Sequence, residues 1–119
     1  MKPPIILYGD GWPGFFRSIE DAERYVEPID VRNQEYVAYD SEGRRLELRV
    51  EEEVVTGWLG LRKTIRERVR IAQAEEVPTH AEELKSILRV SVQKLGVSLE
   101  SLHSLQDLVA ASTQRMGFS

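Results

Sequence analysis

Two stretches of alternation, RRLELRVEE and TIRERVRI, constrain this chain more than any other feature. In the first, Leu46, Leu48 and Val50 point one way while Glu47, Arg49 and Glu51 point the other. In the second, Ile65, Val69 and Ile71 share a side with Glu67, and Arg66, Arg68 and Arg70 share the opposite side. A period of two is the signature of a strand with unlike faces. One apolar face and one charged face together predict an antiparallel sheet, packed on one side and wet on the other.

The spacing predicts strands over residues 44–53 and 64–73, paired as a hairpin. A register in which paired numbers sum to 117 places Leu48 opposite Val69 and Leu46 opposite Ile71. On the charged face it places Glu47 opposite Arg70, Glu51 opposite Arg66 and Arg49 opposite Arg68. Opposite charges across a ladder are mildly favourable. The charge blocks therefore neutralise each other on a solvated face, each pair contributing under about 1 kcal/mol. A further alternating stretch, residues 35–40, leads through Asp40-Ser41-Glu42-Gly43, with Asp at the first and Gly at the fourth turn position. Type I turns prefer that arrangement, so a hairpin is expected here.

At the N-terminus, residues 5–8 form a short apolar strand candidate. Gly9, Gly11, Pro13 and Gly14 interrupt it, and Phe15-Phe16 offers a second short strand. Ser18 with Asp21 three residues on marks a helix start, and Pro28 marks its end. Thr79 with Glu82 marks another helix, ended by Gly96, with Leu84, Ile87, Leu88, Ser91 and Leu95 as its inner stripe. Ser104 with Asp107 opens the last, whose stripe is Leu105, Leu108, Val109, Ser112 and Met116. The expected architecture is α+β: an antiparallel sheet of about four to five strands, with two or three helices packed on one face. Leu46, Leu48, Val69 and Ile71 are expected to pack on Leu84, Ile87, Leu88 and Leu108. At 119 residues the chain suits one domain, residues 1–119.

Composition limits the chemistry. Hydrophobic residues are 41% and charged residues 30%, values of a globular chain. The absence of cysteine excludes disulfides, thiol catalysis and thiolate metal sites. The two histidines, His80 and His103, have no metal-ligand spacing, so neither a metal nor a cofactor is expected. Asp10, Asp40 and Glu51 to Glu53 are the carboxylates open to acid/base work, although Asp10 and Asp40 each sit where a turn calls for them, and an enzyme built on Asp10 and the 51–53 glutamates is one alternative. The Arg66, Arg68 and Arg70 row repeats near the phosphate spacing of a single strand, so a nucleic-acid-associated regulator is another. A net charge of −4 disfavours it. The apolar run at residues 5–8 is too short to cross a membrane or to serve as a signal-peptide core, which predicts a cytoplasmic protein.

One stretch fits no bland account. Between the charge blocks lie Trp58, Leu59 and Leu61, with Gly57 and Gly60 as hinges, where a hairpin connection is ordinarily polar. These residues, in a tip spanning residues 54–61, either fold back onto the core or meet a partner, a second copy of the chain among the candidates. With Glu51, Glu53, Arg66 and Arg68 beside them, they form the candidate partner-binding set. Tryptophan and arginine are both enriched among binding hot spots.

Two segments, SIEDAERYVEPIDVRNQEYVAYDSEGRRLEL and VPTHAEELKSILR, covering residues 18–48 and 77–89, resemble small bacterial immunity-type proteins encoded beside polymorphic toxins. The matching residues are mostly helix caps, a hairpin turn and core positions. The resemblance implies a non-enzymatic protein that works by binding and blocks a toxin by covering part of its surface. Residues 54–70 fall outside the match, so no inhibitory residue carries over by position.

Overall fold

The structure is a computed structural model and describes residues 1–57, 60 and 62–119. Among the described residues it is an α+β fold with a five-stranded antiparallel sheet and four helices. In chain order the elements are β1 (Ile5–Gly9), β2 (Trp12–Phe16), α1 (Ile19–Tyr25), α2 (Pro28–Arg32), β3 (Val37–Tyr39), β4 (Arg45–Thr56), β5 (Lys63–Gln73), α3 (Ala81–Lys94) and α4 (Leu105–Met116). Across the sheet the order is β2-β1-β3-β4-β5.

The glycine-rich N-terminal segment continues the sheet instead of interrupting it. Gly9 pairs with Trp12, and the two residues between them, Asp10 at φ 53° and Gly11 at φ 78°, make a tight hairpin turn. Positive φ at both central positions is the geometry that an Asp-Gly pair favours. Pro13 is tolerated within β2 because that strand lies at the sheet edge. Ser18 caps α1 through the Asp21 N–H at 3.1 Å, as its spacing predicts. Pro28 does more than end α1: it opens α2 at its first position, with Glu27 and Asp30 forming the capping box.

The 40–43 turn forms as the sequence suggests, with the Gly43 N–H donating to the Asp40 carbonyl at 3.2 Å. Asp40 is fully buried (0% exposed). Its carboxylate accepts from the backbone N–H groups of Arg44 at 2.9 Å, Glu42 at 3.0 Å and Lys2 at 3.2 Å. Gly43, at φ +92°, lies so close to α3 that a Cβ there would fall 2.4 Å from the Ala81 Cα. The start of α3 differs from the sequence expectation. Its N-cap is His80, whose N–H donates to the Gly43 carbonyl at 3.1 Å, while the Thr79 hydroxyl turns to Glu75 at 2.7 Å. Tertiary contacts outweigh the local capping box at this site.

The helices do not share one face. Ile5, Leu7, Phe16, Ala38, Leu46, Val69 and Ile71 pack with Ala22 and Val26 of α1, and Ile19, Val31 and Leu48 close the edge of this layer. Ile6, Phe15 and Tyr39 pack on the other side with Leu84, Leu88 and Val92 of α3 and Leu105, Leu108 and Val109 of α4. Neighbouring strand residues go to opposite layers, so α1 and α2 cover one face and α3 and α4 the other. The expected packing of Leu46, Leu48, Val69 and Ile71 on Leu84, Ile87, Leu88 and Leu108 is thereby corrected. The physical reason lies in β1, β2 and β3, where successive apolar residues such as Ile5-Ile6-Leu7 and Phe15-Phe16 demand cover on both faces. Only β4 and β5 alternate, and only they keep a bare face.

The β4–β5 register differs from the expected one by two residues: paired numbers sum to 119. Leu48 faces Ile71, Val50 faces Val69, Glu53 faces Arg66 and Arg49 faces Arg70. An even shift keeps every side chain on its own face. The shift follows from longer strands. Val54, Val55 and Thr56 suit a strand and extend β4, and the ladder closes where the Gly57 N–H donates to the Arg62 carbonyl.

Candidate functional site

The extra length of β4 and β5 makes an arm. Twelve residues in β4 rise about 40 Å, and the molecule measures 62 × 28 × 23 Å. Helices cover only the base of this hairpin. Every residue from 51 to 56 and from 63 to 68 is exposed or half-buried.

On the charged face the expected candidates Glu51, Glu53, Arg66 and Arg68 come together. Arg66 Nε lies 3.2 Å from Glu53 Oε2, and Arg68 Nη1 lies 3.8 Å from Glu53 Oε1. Arg70 Nε reaches Glu51 Oε2 diagonally at 3.4 Å. Arg49 faces Arg70 directly, and the like charges are relieved from two sides, by Glu51 on Arg70 and by Glu47 on Arg49 at 3.0 Å. The hydrogen bond from Arg49 lowers the Glu47 pKa below the usual carboxylate value. Each arginine of the 66, 68 and 70 row thus has a carboxylate partner. These pairs are solvated, so each contributes under about 1 kcal/mol. Val55 stands beyond them on the same face, partly exposed.

The candidates Trp58, Leu59 and Leu61 lie outside the described residues. Three exposed apolar residues stand next to them: Val54 and Val55, which the sequence reading counts within the contact tip, and Ile65, which it places on the core face. Val54 (61% exposed) and Ile65 (64% exposed) face each other across the ladder, on the side that carries the core nearer the base. Their β-branched type was visible in the sequence. Their exposure was not, because it depends on where α1 and α2 stop.

The same face borders a groove of about 620 Å³ between α1 and β5, lined by Glu20, Glu23, Glu27, Glu53, Arg66 and Val69 among others. Asp10 lies elsewhere, in the β1–β2 turn, and lines a hollow of about 280 Å³ with Tyr25 and Tyr36. The structure thus sets Asp10 and the arm glutamates at different places. Burial and the nearby Tyr25 raise the Tyr36 pKa. His80 is committed to Glu75, its Nδ1 2.9 Å from Oε1. Among the described residues no group of three or more histidine, aspartate or glutamate side chains is arranged to hold a metal ion. No described helix is long and apolar enough to cross a membrane.

Comparisons with protein-family models, with curated proteins and with solved structures returned no match.

Proposed function

We propose that this chain is a non-enzymatic cytoplasmic protein-binding domain of immunity type, which neutralises a toxin by laying the β4–β5 arm against it. The observation that carries this reading is the arm itself: a two-stranded projection whose outer half is uncovered on both faces. An isolated ribbon contributes little to a core, so its length calls for another use. The charged face offers Glu51, Glu53, Arg66 and Arg68 beside Val55, and Trp58 follows three residues later in the sequence. Arginines beside an exposed apolar side chain suit a specific interface, where arginine is enriched. The resemblance of residues 18–48 and 77–89 to immunity-type proteins supplies the toxin, and the net charge of −4 suits a basic one through electrostatic steering.

The test is co-expression with the toxin encoded beside this chain. The parent protein should restore growth. A Trp58→Ala/Glu53→Lys variant with an unchanged melting temperature should protect less, its affinity reduced by about 2 kcal/mol or more. Failure of the parent to protect, or full protection by the variant, overturns the reading. Salt-sensitive binding of oligonucleotides by the parent would instead favour the Arg66, Arg68 and Arg70 row.

A further inference from the structure

The sheet has two edges, and they are finished differently. The β2 edge carries Pro13, which has no N–H to offer, and its Phe15 carbonyl accepts from the Ser119 N–H at 2.9 Å. Among the described residues the β5 edge is closed only near its base, where the Ile71 N–H donates to Glu23 Oε2 at 2.7 Å. That bond fixes the parity of the strand. Since the ladder runs without a bulge, Val69, Glu67, Ile65 and Lys63 also turn their N–H and C=O groups outward. Among the described residues, the outward N–H groups of Lys63, Ile65 and Glu67 meet no acceptor. A row of such groups is a template for another strand.

We propose that the free edge of β5 pairs antiparallel with the same edge of a second copy of this chain, about a twofold axis at Ile65. The register is argued from charge. With the axis at Ile65, Ile65 meets the partner's Ile65, flanked by Val54 of each copy on the same face. Glu67 meets the partner's Lys63, and the symmetry repeats that pair. On the other face Arg66 meets the partner's Thr64. Arg68 meets the partner's Arg62, with Glu53 already beside Arg68. Moving the axis to Arg66 stacks Arg66 on its own copy, and moving it to Glu67 does the same with Glu67. Charged residues on an edge ordinarily keep other strands away. Here one register turns Glu67 and Lys63 into two complementary pairs and covers the apolar patch of Val54 and Ile65. The groove beside α1 leaves room for the incoming strand. Because this pairing needs only the chain itself, it stands or falls separately from the toxin reading.

Light scattering coupled to size exclusion, on the full chain at high micromolar concentration, should report twice the 13.6 kDa chain mass and fall toward the monomer on dilution. Lys63→Glu should be monomeric at the same concentration, because the new carboxylate would face Glu67 of the other copy. Glu67→Lys should be monomeric for the converse reason. Mixing the two variants should restore the dimer mass, since one copy then carries glutamate at both positions and the other lysine at both, so that a lysine faces a glutamate on each side of the axis. Ile65→Pro, which removes an outward N–H and leaves the β4 ladder intact, should also give monomer. Far-UV circular dichroism checks that each variant is folded. Because Glu67 also pairs with Arg32, Lys63→Glu decides the matter if Glu67→Lys unfolds. A parent that is monomeric at every concentration, a dimer unaffected by Lys63→Glu, or folded variants that stay monomeric on mixing would each overturn the proposal.

Discussion

The backbone N–H of Ile71 donates to the Glu23 carboxylate at 2.7 Å, so a side chain of α1 ends the open edge of β5. Truncating Glu23 to Ala leaves a partly buried N–H without a partner and should cost about 1–3 kcal/mol. Glu23→Gln, which keeps an acceptor, should cost less. Hydrogen exchange at Ile71 measures the local effect: the amide should exchange faster in Glu23→Ala, and an unchanged rate would show that the bond does not protect the edge.

Leu88 is 0% exposed in the layer formed by α3 and α4. Leu88→Ala should destabilise by about 2–5 kcal/mol in urea denaturation, through lost burial and the cavity left behind. Ile65→Ala removes a side chain of similar size from the arm and should cost the monomer under about 1 kcal/mol. Similar losses at both sites would contradict the description of the arm as uncovered.

Asp40 should be among the costliest single positions. Asp40→Ala removes the acceptor of the Lys2, Glu42 and Arg44 backbone N–H groups and the Arg44 guanidinium partner at 3.2 Å. The expected loss is about 3 kcal/mol or more. Differential scanning calorimetry should show it as a lowered melting temperature. Gly43→Ala should also destabilise, since φ +92° and the nearness of Ala81 both oppose a Cβ.

Acid should loosen the junction between β4 and α3. The hydrogen bond with His80, then the Arg45 N–H, hold the Glu75 pKa down to about 2 from an ordinary 4.5. A depressed folded-state pKa contributes stability that is fully present above the unfolded value and is lost as pH falls toward the folded one. The loss should therefore run from about pH 4.5 down to about pH 2. Glu75→Gln should flatten that part of the stability curve, measured by urea midpoints across pH. A variant curve parallel to the parent's would assign acid sensitivity to other carboxylates.

Several features were legible in the sequence because each depends only on near neighbours or on a period. The Ser18 and Ser104 caps accept from Asp21 and Asp107 at 3.1 Å. The turn at residues 40–43 needs only Asp40 and Gly43, and the two faces of β4 and β5 need only a period of two. That period also put Glu51, Glu53, Arg66 and Arg68 on one surface, whichever even register applied. Tertiary structure decided what local signals could not reach. An apolar run such as Ile5-Ile6-Leu7 shows that a strand is buried but not which helices bury it, and here opposite helical layers divide the run. A two-residue slip leaves the pattern of β4 and β5 unchanged, so only the closure between Gly57 and Arg62 and the added pairs up to Thr56 and Lys63 selected the register. Val54 and Ile65 carry the same kind of side chain as Val50 and Val69. They are exposed because the cover from α1 and α2 stops short of them, and the reach of a covering helix belongs to the assembled molecule, not to the residues it leaves bare.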